Sequence, residues 1–343
     1  MINDPAILTG VVVSGAHGIY DVYTEDGVYR CTLRGKLKKA FAQAQSAKPS
    51  GKSRSRPSPY ANKRVERIEK RDSTENPAPT RISVGDHVRV RRLDTTNGLI
   101  EEILPRQSAL TRIDTSSTEK RMVQQTLLAN LDQVVMVFST MQPDPHFGML
   151  DRYLAISESA ELHVLICLNK ADLPYDSYVE ENADLYSKLG YQVIWTSTVT
   201  REGIDNLRVL LRDHTSLFTG PSGVGKSSLV NVIEPGMAIK TGLVSEATGK
   251  GRHTTTSSQL YPLSEGGWLA DSAGIRALAT WNIPPEELAS CFVEFRPHLG
   301  ECEYSDCTHV DEDGCSIVQA VTDGTIDERR YRSYVRMYTN EER

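Results

Sequence analysis

Eight consecutive residues, Gly220-Pro221-Ser222-Gly223-Val224-Gly225-Lys226-Ser227, fit the pattern G-x-x-x-x-G-K-[ST]. A strand-like run precedes them, and Ser228 with the helix-like LVNVI follows, which is the context such a loop requires. Glycines let successive backbone N–H groups turn inward around phosphate oxygens, and the helix N-terminus adds its positive end. Lys226 is placed to reach the β- and γ-phosphates as a catalytic cation, and the Ser227 hydroxyl to ligate Mg²⁺.

Asn169-Lys170-Ala171-Asp172 ends a second strand-like run, LHVLICL, and matches N-K-x-D. A carboxylate at Asp172 accepts both the N1–H and the exocyclic amine of guanine, whereas adenine presents no such donor pair. Losing those bonds strands a buried carboxylate, which is the source of strong base discrimination. Alone, four residues also fit an ordinary exposed loop; beside a phosphate loop they read as a guanine site. Asp271-Ser272-Ala273-Gly274 fits D-x-x-G after the strand-like GGWLA, with Asp271 holding Mg²⁺ through water and the Gly274 N–H meeting a γ-phosphate. Between these motifs, Gly251-Arg252-His253-Thr254-Thr255-Thr256 occupies the position of a switch loop that offers a Thr hydroxyl to Mg²⁺. Thr255 is the first choice and Thr254 the second.

The order of these motifs is unusual. A common guanine-nucleotide domain runs phosphate loop, switch Thr, D-x-x-G, N-K-x-D; here N-K-A-D comes first, about fifty residues before the phosphate loop. The order is that of a circular permutation, which a domain with neighbouring termini tolerates.

A second constellation lies near the C-terminus. Cys302, Cys307, His309 and Cys315 place three thiols and one imidazole within fourteen residues. Soft sulfur plus nitrogen in a closed set of four suits tetrahedral Zn²⁺ with no open position, hence a structural ion. It would staple a segment that shows little core of its own. His298 is a spare ligand with poorer spacing.

The elements that must position these groups follow from patterning. Residues 1–35 alternate as short strands (ILTGVVVSG, GIYDVYT, GVYRCTLRG), and the alternation resumes in ISVGDHVRVRRL and GLIEEILPR, suggesting a small β-barrel. From about Ile113, apolar strands (DQVVMVFS, LHVLICLN, TSLFTG, GGWLAD) alternate with helical stretches, the texture of a parallel α/β sheet. The expected organisation is therefore α/β throughout the centre: 1–112 a barrel, 113–282 a permuted nucleotide domain, 283–343 a zinc domain.

Charge is distributed unevenly over the 343 residues. The formal net charge is −6, yet Arg34 to Arg71 holds thirteen Lys/Arg against two acids, leaving −17 on the remainder. Residues 36–80, rich in Lys, Arg, Ser, Pro and Ala, read as a basic disordered insertion without an apolar face, and basic arms commonly meet phosphate backbones. No apolar run approaches the ~18 residues of a membrane span. MINDPAILTG lacks the basic start and apolar core of a signal peptide, so a cytoplasmic protein without membrane contact is expected.

GPSGVGKSS, NKAD, GRHTTT, DSAG, LDRYL at 150–154 and the Cys-x4-Cys-x-His-x5-Cys unit together resemble the ribosome small-subunit-dependent GTPase A family, the RsgA (YjeQ) group. The resemblance spans nearly all of the chain except the basic insertion. It implies an OB-fold barrel, a permuted GTPase domain and a zinc-finger domain. It also implies binding of GTP and GDP, late maturation of the 30S subunit, and hydrolysis stimulated by that subunit. Contacts to 16S rRNA are expected through the barrel and zinc domain, with a monomer as the default.

Three positions depart from the family pattern. Ala273 stands where Pro is common in D-x-x-G, and the base-supporting Ser-Ala is replaced by Thr196-Ser197-Thr198, with Ser197 the best match. Beyond D-x-x-G the residues Ile275-Arg276-Ala277 include no water-orienting Gln, as in the hydrophobic-substituted GTPases the family resembles. His253 is the in-chain candidate for positioning the attacking water, an imidazole titrating near neutrality; the same residue also fits packing or an rRNA contact. Arg252 and Arg276 fit either γ-phosphate stabilisation or surface roles.

Overall fold

The alternating N-terminal runs close on themselves. A computed structural model describes residues 7–46, 81–114, 123–237, 259–270 and 283–341. In it β1 (Ile7–Ala16), β2 (Ile19–Thr24), β3 (Gly27–Leu33), β4 (His87–Arg92) and β5 (Asn97–Ile103) form a closed barrel in the order β1-β2-β3-β5-β4. β1 pairs antiparallel with both β2 and β4, and a register shift between Val12 and Ser14 bends it to reach both. Period-two alternation sends Val12, Val22, Cys31, Val88, Val90 and Ile100 inward, each fully buried. This is the five-stranded OB arrangement.

Residues 36–46 are not an apolar-free tether: α1 (Gly35–Ser46) is a helix, and its Leu37 and Phe41 pack against the barrel core. Leu37 and Phe41 are spaced i, i+4 on one helical face, a pattern masked by the surrounding lysines. Residues 47–80 of the expected insertion lie outside the described residues.

The chain divides into two compact units, Met1–Arg106 and Gln107–Arg343. The second opens with an antiparallel hairpin, β6 (Ala109–Asp114) and β7 (Val123–Ala129). Then comes a six-stranded sheet in the order β10-β9-β8-β11-β13-β12. β8 (Gln133–Ser139), β9 (His163–Asn169), β10 (Gln192–Thr196), β11 (Thr215–Thr219) and β13 (Trp268–Ala270) are parallel, and β12 (Leu260–Pro262) pairs antiparallel at one edge. Every residue of β8 and β11 is buried, as strands covered on both faces by helices should be. The helices are α2 (Phe147–Ser159), α3 (Ser177–Lys188), α4 (Ile204–Leu211) and α5 (Lys226–Ile233). Because the strands are parallel, the loops after β8, β9, β10 and β11 emerge at one edge, where open α/β sheets bind ligands.

The C-terminal segment packs within this same unit. α6 (Pro285–Leu288), two 3₁₀ turns, α7 (Ser316–Thr322) and α8 (Glu328–Thr339) enclose Phe292, Phe295, Ile317 and Tyr334, together with Ala155 of α2. The segment therefore has more core than its composition suggested: three aromatic rings meet at centroid distances of 5.0–5.5 Å. Among the described residues no helix is long and apolar enough to cross a membrane.

Candidate functional site: a nucleotide cradle and a metal centre

The phosphate loop leaves β11 at Gly220 and enters α5 at Lys226. Gly220 has φ +139° and passes so close to β8 that a Cβ there would lie 2.0 Å from the Val137 carbonyl oxygen. At Gly225, φ +96°, a Cβ would lie 2.3 Å from Asn169 Nδ2. These two glycines are required by close approach as well as by backbone conformation. Lys226 is buried, and its ammonium donates to the carbonyls of Gly220 at 2.8 Å and Pro221 at 2.6 Å, which hold it across the loop. Ser227 and Ser228 follow in the first turn of α5, Ser227 half-buried and Ser228 exposed.

The guanine-type loop is bolted to the phosphate loop. Asn169, at the end of β9, donates from Nδ2 to the Val224 carbonyl at 2.8 Å. Lys170, in the left-handed region at φ +65°, donates to the Gly223 carbonyl at 2.8 Å and to the Gln142 carbonyl. Asp172 stands exposed, and the buried Ser197 hydroxyl donates to its Oδ1 at 2.5 Å. Ser197 Oγ in turn accepts the N–H groups of Val199 at 3.1 Å and Thr200 at 3.0 Å. A carboxylate oriented in this way, on a loop bonded to the Gly220–Ser227 loop, can accept a pair of donors from a ligand.

The four C-terminal ligand candidates also converge. Ligand atoms of Cys302, Cys307, His309 and Cys315 all lie within 4.8 Å of one another. Cys302 Sγ lies 3.4 Å from His309 Nδ1 and 3.9 Å from Cys315 Sγ, and Cys315 Sγ lies 3.5 Å from the same nitrogen. A tetrahedron with metal–sulfur bonds near 2.3 Å and a metal–nitrogen bond near 2.0 Å has edges of roughly 3.5–3.8 Å, so the donor set fits one four-coordinate ion. Burial, then the facing thiols of Cys315 and Cys302, pushes Cys307 up to about 12. A bound cation would favour the Cys307 thiolate that this environment otherwise opposes. Burial lowers His309, favouring the neutral imidazole that a metal needs. His298 is not among these ligands; its carbonyl accepts from the Ser316 hydroxyl at 2.9 Å.

The family model described as RsgA GTPase matches residues 103–281. The small ribosomal subunit biogenesis GTPase RsgA of Gemmatimonas aurantiaca is 38% identical over 335 residues, covering 96% of each chain. The chain belongs to the RsgA GTPase family. Among solved structures, YjeQ from Thermotoga maritima superposes with a TM-score of 0.71 at 31% identity, over 98% of this chain and 100% of that one. YloQ, described as a circularly permuted GTPase, gives 0.67 at 26% identity, over 99% and 96%. As a member of the RsgA family the chain is a GTP hydrolase, and its permuted motif order is the family's architecture.

Of the residues named from the RsgA motif pattern, the structure brings together Asn169, Lys170, Asp172, Ser197 and the loop from Gly220 to Ser228. His253, Thr254, Thr255, Asp271 and Gly274, with Arg252 and Arg276, lie outside the described residues. Sequence reasoning missed a buried chain behind the base loop. The Thr196 hydroxyl donates to Asn169 Oδ1 at 3.2 Å, so the contact at 3.2 Å between Thr196 Oγ1 and Cys167 Sγ uses the cysteine S–H as donor. Cys167 is fully buried, and burial pushes its thiol up to about 12, keeping it protonated for that task. It also missed the loop after β8, where the Thr140 hydroxyl donates to the Lys170 carbonyl at 2.8 Å and Ser139 to the Pro143 carbonyl at 2.6 Å. Hydroxyls at the ends of buried strands were the available signal.

LDRYL, which carried part of the resemblance, proves to be the seat of the C-terminal segment. Asp151 of α2 is buried and accepts from Arg330 Nη1 at 2.6 Å, from the Tyr186 hydroxyl at 2.8 Å and from the Ser333 hydroxyl. Arg330, 1% exposed, also donates to both oxygens of Glu294 at 2.6 and 3.2 Å and lies 4.7 Å over the Phe292 ring. Two carboxylates around one guanidinium, with hydroxyl donors completing the shell, satisfy a charge that burial alone would forbid.

Proposed function

We propose that this GTPase acts in late maturation of the small ribosomal subunit. It binds GTP, engages the 30S particle, hydrolyses the nucleotide under stimulation by that particle, and leaves with GDP. The observation that carries the reading is the Asn169–Val224 hydrogen bond, which joins a base-reading loop to a phosphate loop across the permutation. The relatives named as small ribosomal subunit biogenesis GTPases, over 96% of the chain in the case quoted, supply the setting.

In this reading Asp172, supported by Ser197, Asn169 and Lys170, selects guanine, and the loop from Gly220 to Ser228 wraps the phosphates. Lys226 turns from the Gly220 and Pro221 carbonyls to the β- and γ-oxygens, neutralising charge as it develops. Ser227, with Thr255 or Thr254 and Asp271, holds Mg²⁺, and Gly274 senses the γ-phosphate; His253 orients the attacking water. Zn²⁺ is the ion for Cys302, Cys307, His309 and Cys315, one per chain and structural, because three soft sulfurs and one nitrogen close a tetrahedral shell. The functional parts are a barrel, drawn from the sequence over 1–112 and compact to Arg106, with a basic insertion at 36–80 whose first residues form α1, then a GTPase domain over 113–282 and a zinc domain over 283–343. The barrel and zinc domain contact 16S rRNA, and the protein works as a cytoplasmic monomer.

Phosphate release from GTP and from ATP, each with and without purified 30S subunits, tests this. GTP-selective hydrolysis that rises at least tenfold with 30S is expected. Hydrolysis of GTP indifferent to 30S would remove the ribosomal assignment, and equal use of ATP would remove the role given to Asp172.

A further inference from the structure

His309 sits on a short knuckle, residues 308–310, whose backbone is gripped from two sides. The Glu312 side chain turns back beneath it. Its Oε1 accepts the Thr308 N–H at 2.7 Å and the Thr308 hydroxyl; its Oε2 accepts the N–H groups of Val310 at 3.0 Å and Asp311 at 3.3 Å. The carbonyls of the same knuckle are taken by α8. The Tyr334 hydroxyl donates to the Thr308 carbonyl at 2.6 Å, and the Tyr331 hydroxyl donates to the Val310 carbonyl.

Between these fixed neighbours His309 has φ +63°, a left-handed conformation that L side chains rarely adopt. That conformation brings Nδ1 within 3.4 and 3.5 Å of the Cys302 and Cys315 sulfurs. A free tetrapeptide of this sequence would relax to negative φ and carry the imidazole elsewhere. A concavity of successive N–H groups filled by a carboxylate, and carbonyls held by two phenols, prevent the relaxation.

We propose that Glu312, Tyr331 and Tyr334 are positioning residues of the metal centre, which preset His309 toward the three thiols before an ion arrives. None of the three is a ligand, and two of them belong to α8, where the residue before each tyrosine, Arg330 and Ser333, donates to Asp151 of α2. The outer support of the metal site is thus mounted on the GTPase core. Outer-shell groups of this kind typically contribute 10–100-fold to metal affinity.

The inference rests on the reading of the cluster as a zinc centre and refines it, so the test separates the two. Full-length chain is stripped of metal under reducing conditions and titrated with Zn²⁺ against a chromophoric chelator, then separately loaded with Co²⁺. The wild type is compared with Tyr331→Phe/Tyr334→Phe, Glu312→Ala and Glu312→Gln. Expected are one Zn²⁺ per wild-type chain and a 10–100-fold weaker affinity for the double Phe variant and for Glu312→Ala. Glu312→Gln, which keeps one acceptor oxygen and the shape, falls between them and the wild type. The Co²⁺ ligand-field bands should lose intensity in the weak variants as the imidazole is replaced by water. Circular dichroism of the Zn²⁺-saturated proteins checks that the helices are formed, and Tyr331→Phe alone repeats the comparison if the double variant does not fold. Folded variants that hold Zn²⁺ within twofold of wild type with unchanged Co²⁺ bands overturn the proposal. A wild type that binds no Zn²⁺ overturns the zinc reading itself.

Discussion

Asn169 and Val224, fifty-five residues apart in the chain, are joined side chain to backbone at 2.8 Å, so the base loop and the phosphate loop behave as one piece. The amide that makes this bond is oriented from behind by Thr196, and Thr196 by Cys167. Every donor in the series has one acceptor, which fixes the amide against rotation.

Replacing Thr196 by Val removes that orientation without changing volume. The buried Asn169 oxygen is left without its hydroxyl donor, at a cost of about 1–2 kcal/mol. GDP affinity by isothermal calorimetry should fall by up to roughly five- to thirtyfold, and unchanged affinity would show that the series is ornamental to binding.

Asp172→Asn addresses the base directly. The substitution exchanges an ionised acceptor for an amide, and guanine affinity should fall by about 10²–10⁴. Xanthosine triphosphate, whose 2-oxo group accepts where guanine donates, should recover much of the loss. Competition against a fluorescent guanine nucleotide reads both effects.

Lys226→Ala removes the ammonium held across the phosphate loop. Single-turnover hydrolysis on 30S particles should slow by about 10²–10³. Normal turnover would remove Lys226 from the mechanism.

The nucleotide cradle was legible because its chemistry demands contiguous backbone: Gly220 to Ser227 must be one stretch, and so must Asn169 to Asp172. The convergence of Cys302, Cys307, His309 and Cys315 was legible for the same reason, four metal-binding side-chain types within one short loop. What escaped were pairs whose partners share no local pattern. Arg330 reads as one more charge in DERRYRSYVRMYT, and its partner Asp151 is 179 residues away. α1 escaped because lysines outnumber the two apolar residues that seat it. Thr196 was passed over for Ser197, since only its burial against Cys167 reveals its task.

Arg330→Met should destabilise the second unit by about 3–5 kcal/mol, because Asp151 and Glu294 are left as buried, unpaired carboxylates. Adding Asp151→Asn and Glu294→Gln removes those charges and should restore at least half of the loss. Urea unfolding monitored by tryptophan fluorescence distinguishes the two; equal losses would mean that packing, rather than charge, dominates the site.

The barrel carries an acid-sensitive turn. Asp94 caps the β4–β5 connection, and hydrogen bonds from the Asn97 side chain, then from the Thr96 and Asn97 N–H groups, hold its carboxyl down to about 2. A depressed folded value means that the contribution is fully present above the unfolded carboxyl value near 3.9 and is lost as pH falls through it toward about 2. NMR titration of the Asp94 carboxyl should show the low midpoint. In Asp94→Asn the melting temperature should lose part of its slope between pH 4 and 2, on the order of those two values.

The permuted strand order also sets a timetable for the chain as it is made. β8, β9 and β10 leave the ribosome first, and β8 then shows a bare edge until β11 arrives to cover it. At bacterial elongation speeds of about 5–20 residues per second that interval lasts several seconds, during which an apolar strand awaits its partner. The strand that ends the wait is the one that delivers the phosphate loop. In this protein, covering that edge of β8 and delivering the Gly220–Ser227 loop are a single event in synthesis, and the far edge of β11 then waits for β13.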